Sequence, residues 1–384
     1  MANLMIKQVE TRSELRDFIN FPWQIYKNDP NWVPPLRIQM KEKLDPKKNP
    51  FFEHAELALF LARQGGQIAG RIAAIHDFNH NEYHREKVVF FGLYESVNDQ
   101  EVARLLLEAV SDWGKKKGLE ILRGPVNLSM NDECAFLLEG FDRPPVIMMP
   151  YNPPYYLELM EKSGLTKAKD LYAFFMDRDH ETMEKVQAVV NKVRQATSFQ
   201  MRTANLKKIQ EETRKIAYIY NQAWAKNWGF VPWTDNEMKF MGKTLKSFAD
   251  PELVIFAMHN GQEAGFAFGL PNYNEITGRL NGRLFPFGVF KLLLAKKKIK
   301  GIRAMVFGVL PDYQRTGLSY LLYHELETRA LANGYEWAET SWQLEDNDSI
   351  NRFTASIGGR IYKKYRIYEK RLIELNQGEK NESV

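Results

Sequence analysis

One stretch, Val306 to Leu322 (VFGVLPDYQRTGLSYLL), constrains this fold more than any other. Leading into it, Ile302 to Leu310 is a run of apolar, β-branched and aromatic residues that reads as a buried strand, and Pro311 ends it. Leu318, Leu321, Leu322, Leu326 and Ala330 then recur at helical spacing, and Asn333-Gly334 gives a stop. A tight loop therefore joins a strand to the first turn of a helix. The first amides of a helix have no intrahelical partners and sit at the positive end of its dipole. With Gly317 in the loop and Arg315 beside it, they form a site for a phosphate or pyrophosphate.

The chain around this stretch shows one order of elements twice. In the first half, Leu57 to Arg63 and Ile68 to His76 read as a hairpin, and Val88 to Tyr94 as a third strand. Val102, Leu105, Leu106, Ala109 and Trp113 then mark an amphipathic helix. A strand at Ile121 to Arg123, a helix at Tyr155 to Lys162 and a strand at Tyr172 to Met176 follow. In the second half, Phe199 to Thr203 is a strand, and Leu206 to Trp224 and Asn236 to Phe248 are helices. Leu253 to His259 and Glu263 to Leu270 pair across Asn260-Gly261. After the central strand, loop and helix come a strand at Trp337 to Trp342, a helix at Ser349 to Ile357 and a strand at Arg360 to Tyr368. The order predicts an α/β (α+β) chain of two tandem domains, 1–178 and 179–384, with the helix Met183 to Thr197 at the join. Each domain is expected to be a mixed, mostly antiparallel twisted sheet flanked by helices.

The central loop resembles the acyl-CoA loop of the GNAT superfamily of N-acyltransferases. Gln314 and Gly317 match its glutamine and glycine, and Ser319 stands at its last small residue. Val309, Pro311 and Tyr313 supply the V-x-P-x-Y that precedes it. The resemblance implies acetyl-CoA or a longer acyl-CoA as co-substrate, held by Val309, Leu310, Gln314, Arg315, Thr316, Gly317, Leu318, Ser319 and Asn347. It further implies an oxyanion donor from a backbone amide near Val309 or Leu310. A tyrosine often acts as general acid in this superfamily; the matching position here is Thr354. The first half carries Glu95 to Gln100 at its corresponding loop, with no glycine and two acids, Glu95 and Asp99. Acids there repel a pyrophosphate and suit a helix N-terminus as caps. The resemblance to tandem acyltransferases, including N-myristoyltransferase and Fem-type aminoacyltransferases, implies that such a half shapes the acceptor site instead. It extends to a bacterial branch in which some members act as ceramide synthases.

The reaction needs a base for the attacking amine, and the central strand holds no acid. Glu339 on the next strand and Glu345 after it are the catalytic candidates. Gly124 to Tyr156 is a long, polar, non-periodic segment, and such loops tend to be functional. Its Asn127, Asn131, Glu133, Tyr155 and Tyr156 are the acceptor-binding candidates. Trp224 to Glu237 carries three tryptophans that suit either an acyl pocket or the core.

Composition narrows the partners. No apolar run has membrane-spanning length, the start lacks the apolar core of a secretory signal, and the lone Cys134 suits a reducing cytoplasm. A net charge of +5 favours anionic partners without choosing among them. Within Pro271 to Lys300, an apolar stretch (Phe287, Val289, Phe290, Leu292 to Leu294) precedes Lys296, Lys297, Lys298 and Lys300, a pattern that fits an anionic membrane surface or a docked helix with a solvated tip. His76, His80 and His84 read as part of a polar loop, and no metal is expected. The expected activity is transfer of an acetyl or longer acyl group from acyl-CoA to a small or lipid-like primary amine, with no nucleic-acid partner. Two rivals stay open: a catalytically silent acyl-CoA binder, and a Fem-type transferase using aminoacyl-tRNA.

Overall fold

The computed structural model describes residues 3–177, 180–284 and 288–372. In chain order its strands are β1 (Leu4–Gln8), β2 (Ala55–Gln64), β3 (Gln67–Asp77), β4 (Val88–Ser96), β5 (Ile121–Gly124), β6 (Phe136–Glu139), β7 (Thr166–Met176), β8 (Gln200–Thr203), β9 (Val254–His259), β10 (Gln262–Pro271), β11 (Gly301–Val309), β12 (Trp337–Leu344) and β13 (Arg360–Arg371). The longer helices are α1 (Arg12–Asn20), α2 (Phe78–His84), α3 (Gln100–Lys115), α4 (Tyr155–Lys162), α5 (His180–Ala196), α6 (Ile209–Ala223), α7 (Asp235–Phe248), α8 (Gly288–Ala295), α9 (Leu318–Ala332) and α10 (Asp348–Ser356).

All the strands join one sheet, in the order β1-β2-β3-β4-β5-β13-β7-β12-β11-β10-β9-β8, with β6 on β13. The doubled order of elements is present, but the two half-sheets are fused by an exchange. β7, which closes the first half, pairs with β12 of the second. β13, the last strand, pairs with β5 of the first. The exchanged strands lie against each other from Phe175↔Arg360 to Thr166↔Glu369, and a two-pronged ion pair from Arg366 to Asp170 (2.8 and 3.0 Å) fixes their register. β7 runs from Thr166 rather than from the expected Tyr172 because β13 pairs with it that far, while β12 covers only Leu171 to Met176. The expected domain boundary beside Asp177 adjoins residues 178 and 179, outside the described residues.

Parallel crossovers of this kind are right-handed, which puts α3 and α9 on one face of the sheet. α3 begins where the Asp99 carboxylate accepts the Glu101 and Val102 amides, and it buries Val102, Leu106, Leu107 and Val110. α9 buries Leu318, Leu321, Leu322, Leu326 and Ala330, the spacing read from the sequence, and Val190 of α5 joins that core. The opposite face is covered by α1, α6, α7 and the 125–150 loop.

The sequence around His80 folds as α2 and not as a loop. Asp77 caps it by accepting the His80 amide at 3.2 Å, and the His80 ring packs edge-on against Phe90. His80 Nε2 meets Glu86 and His84 Nε2 meets the Phe230 carbonyl, so both rings serve packing.

His54 ties α7 to the first half through Nδ1 to Asp77 (3.0 Å) and Nε2 to Glu237 (3.2 Å). Burial opposes a charged ring, but hydrogen bonds to Asp77 and Glu237 outweigh it and raise its pKa from 6.5 to about 10. A group raised on folding lends stability that is complete below its unfolded pKa and is lost as pH rises through the folded one. Between pH 6.5 and 10 the wild type should therefore lose more thermal stability than a His54→Gln variant; parallel melting curves over that window that shift equally would refute this.

Candidate active site

β11 and β12 pair in parallel only from Gly301↔Trp337 to Ala304↔Thr340, and then part. β11 stays with β10 as far as Val309. β12 bulges: Thr340 faces Phe174 and Gln343 faces Tyr172, so Ser341 and Trp342 both lie opposite Ala173. Two cavities flank the gap between the strands. A groove of about 120 Å³ lies on the α9 side, bounded by α9, α10 and the parted strands. A cavity of about 590 Å³ lies on the other face. Trp224, Met305, Ser341 and Trp342 line both.

The larger cavity draws its apolar wall from several elements, among them Trp32 and Leu36 near the N-terminus, Met130 and Ile147 of the long loop, and Phe240 and Met241 of α7. Acidic side chains interrupt this wall, Asp132, Glu133 and Glu237 among them. Basic side chains line it as well, Lys43 beside Asp132 (3.8 Å), Arg71 and Arg303.

At the cofactor loop, Gly317 is the N-cap of α9 with φ 82°, and no side chain caps the helix. The amide dipoles there are open to an anion, whereas Asp99 occupies the same place on α3. Thr316 donates its hydroxyl to the Tyr313 carbonyl (2.8 Å), and Gln314 Nε2 donates to the Val309 carbonyl (3.3 Å). Both side chains thus shape the loop, leaving Arg315 exposed as its charge. Leu318 is fully buried, so only its backbone can face a ligand, while Ser319 is half-buried. Asn347 caps α10 by accepting the Ile350 amide. The Leu310 amide is spent on the Ala264 carbonyl of β10, which corrects its expected role as oxyanion donor. By strand alternation the Val309 amide faces the gap.

In the first half the corresponding gap is filled by the chain itself. β4 and β5 part after Phe90↔Arg123. The Val126 amide donates to the Phe91 carbonyl (2.8 Å), and the Leu93 amide donates to Asn127 Oδ1 (2.8 Å). A Cβ on Gly92 would stand 1.8 Å from the Val126 oxygen, so only glycine fits. In this half the gap is closed and the helix that follows it, α3, is capped by Asp99.

The remaining candidates divide. Glu339 is fully buried, and it accepts hydrogen bonds from Ser341 Oγ and Tyr362 Oη. It reaches the cavities only through Ser341. Glu345 is corrected: its carboxylate accepts the Asp170 amide (3.1 Å) and pairs with Lys167 (2.6 Å), bracing β7, and it lines neither cavity. Asn127 lines the larger cavity but spends its oxygen on Leu93. Asn131 lines it too, while holding the Val231 carbonyl and the Tyr220 hydroxyl. Glu133 lines it and acts electrostatically on Arg303. Tyr155 and Tyr156 are corrected: they lie in the core behind β4, donating to the Ser96 carbonyl and to Glu95 respectively. Glu95 is no helix cap; it lies within β4, one residue before its end, half-buried beside Arg71 and facing the larger cavity, and desolvation raises its pKa against the pull of Arg71. Burial pushes the Cys134 thiol up to about 12, which removes it as a nucleophile.

Arg303 and Ser341 were missed by sequence reasoning. Arg303 is buried, and it donates to Ser341 Oγ (3.0 Å), to the Ser341 carbonyl (3.1 Å) and to the carbonyls of Ile147 (3.1 Å) and Met148 (2.8 Å). An arginine inside an otherwise apolar strand run was the available signal.

No family model matches the chain. It is 36% identical over 378 residues to a bacterial ceramide synthase from Caulobacter vibrioides, covering 97% of this chain and 98% of that protein. It is 36% identical over 376 residues to protein YghO of Escherichia coli, covering 96% and 95%. Among solved structures, a tandem GNAT protein from the clavulanic acid biosynthesis pathway superposes with a TM-score of 0.58 at 11% identity, covering 97% of this chain and 100% of that one. A GCN5-related N-acetyltransferase from Sphaerobacter thermophilus gives 0.53 at 11%, covering 97% and 98%. These two likenesses establish the GNAT fold.

Proposed function

We propose, for a chain that belongs to the same family as the bacterial ceramide synthase of Caulobacter vibrioides and YghO of Escherichia coli, that an acyl group passes directly from acyl-CoA to a primary amine where the two cavities meet. The observation that carries this reading is the open gap between β11 and β12, lined from both sides by Ser341 and Trp342. Residues 1–178 and 179–384 are treated as two units of unequal task. The second holds acyl-CoA, with its phosphates toward the uncapped start of α9 and its thioester at the gap. The first, its own gap plugged by Val126 and Asn127, supplies much of the acceptor wall. The Val309 amide steadies the tetrahedral oxyanion, and Glu133 receives the ammonium before transfer. The apolar wall of the larger cavity favours a long-chain amine, in keeping with the name of the Caulobacter relative.

Such an acceptor lives in a bilayer. Among the described residues no helix is long and apolar enough to cross a membrane. We place the protein in the cytoplasm, touching an anionic membrane face through α8 and the turn after it. Leu294 is 81% exposed, Lys296, Lys297 and Lys298 are exposed beside it, and Leu292 lines the larger cavity. Lys300 is paired with Glu336 (2.7 Å) and drops out of this patch. Phe287, with 285 and 286, lies outside the described residues, as does the Phe290 side chain. Each lysine at such a surface is worth about 1 kcal/mol, so three give weak, salt-sensitive attachment.

The test is thiol release from palmitoyl-CoA on addition of sphinganine, together with sedimentation on phosphatidylglycerol vesicles. The reading expects an N-acyl product and low-salt pelleting that is lost when Lys296, Lys297 and Lys298 become glutamine. Tight palmitoyl-CoA binding without product would favour the silent binder, a rival supported by Thr354, whose hydroxyl is engaged with Gln343. No pelleting at low salt would remove the membrane contact.

A further inference from the structure

We infer that Ser341 carries the proton of the transfer step between amine and thiolate, with Glu339 as its buried store; this rests on the acyl-transfer reading above. Among the described residues four line both cavities, and of these Ser341 alone has a group that both donates and accepts protons. Trp224 gives its indole N–H to the Phe307 carbonyl (3.3 Å), Trp342 has an indole donor alone, and Met305 has a thioether. Ser341 has a hydroxyl. The β12 bulge brings it to the parting of the strands.

Its surroundings fix that hydroxyl. Ser341 Oγ donates to Glu339 Oε1 and accepts from Arg303 Nε at 3.0 Å. The Ser341 carbonyl is held by Arg303 Nη2 at 3.1 Å, and Glu339 Oε2 accepts from Tyr362 Oη. One hydroxyl lone pair remains for a substrate N–H. Lys363, also buried, donates to the carbonyls of Arg143 (2.9 Å) and Pro144 (2.9 Å). Arg303 and Lys363 act electrostatically with Glu339, so the carboxylate sits among fixed positive charge. Glu339 touches no substrate and is a positioning and storage group.

The step balances as follows. The ammonium first gives up one proton to solvent; the neutral amine nitrogen then attacks the thioester carbonyl, and the C–N bond forms. Its N–H proton moves to Ser341 Oγ as the hydroxyl proton passes to Glu339. The tetrahedral oxyanion collapses, the C–S bond breaks, and Glu339 returns its proton through Ser341 to the sulfur. One proton travels from nitrogen to sulfur, and nothing is oxidised or reduced. The scheme also removes the need for a tyrosine at position 354, where Thr354 is bound to Gln343.

The experiment compares Ser341→Ala, Ser341→Thr and Glu339→Gln with palmitoyl-CoA and sphinganine. The relay expects Ser341→Ala to lose kcat by about 100-fold or more, as loss of a general acid–base group does. KM for palmitoyl-CoA should stay within about threefold, and Ser341→Thr should recover most of kcat. Ser341→Ala combined with Glu339→Gln should be no worse than either alone, since the groups act as one unit. A Ser341→Ala variant with native urea unfolding and a near wild-type kcat overturns the relay; so does a folded Ser341→Thr that stays as slow as alanine. If the wild type ignores sphinganine, the amine reading alone has failed. The relay is then read from palmitoyl-CoA hydrolysis, where water replaces the amine: the same Ser341→Ala loss supports it, and an unchanged rate overturns it.

Discussion

Replacing Arg303 by methionine is expected to destabilise the protein by about 3–5 kcal/mol, the cost of breaking a buried ionic arrangement from one side. Methionine fills much of the space but offers no donor. The carbonyls of Ile147, Met148 and Ser341 would each lose their arginine contact, and the Glu339 charge would keep only the more distant support of Lys363. Burial already works against this guanidinium, depressing its pKa, so its place in the fold depends on those partners. The cost should shrink when Glu339 is neutralised as well, because the stranded charge goes with it. Urea unfolding of Arg303→Met, Glu339→Gln and the double variant forms a cycle that isolates the coupling. A single Arg303→Met variant that unfolds at the wild-type midpoint would refute this account.

Gly317→Val is expected to weaken CoA binding by more than about tenfold, equivalent to about 1.4 kcal/mol. The cause lies in the packing: a Cβ on Gly317 would stand 2.5 Å from Val193 Cγ2 on α5, and φ of 82° strains any β-branched residue. The substitution therefore displaces the start of α9 from α5 and breaks the alignment of the amides. Gly317→Ala with Val193→Ala relieves the contact and should regain part of the affinity. Calorimetry with CoA decides it, and undiminished affinity in Gly317→Val would sink the assignment of this helix end.

The elements were legible wherever the periodicity was local and strong. Leu318 to Ala330 marked α9, and Tyr155 to Lys162 marked α4 at both ends. Legibility failed where a residue's meaning depends on a distant partner. Tyr155 and Tyr156 stand in a polar segment and read as ligand groups, yet their hydroxyls go to Ser96 and Glu95 far back in the chain. Glu345 read as a base because nothing nearby claims it; Lys167 and Asp170 do, from the exchanged strand. Ser341 was silent because a serine on a strand has no pattern of its own, and its setting comes from a bulge against β7. Strand exchange itself left no mark, since pairing order is not encoded in the alternation of any single strand.

That exchange also sets a timetable for a chain made from its N-terminus. When Thr166 to Met176 leaves the ribosome, the strand it will pair with on either side has not been synthesised. The edge of β5 waits longer, until Tyr368 to Arg371, almost the last residues of the sheet, arrive to cover it. An uncovered edge is a template for pairing with another chain, so the nascent first half needs shielding throughout elongation. Loss of the Tyr368 to Arg371 segment would be felt in the half that was made first.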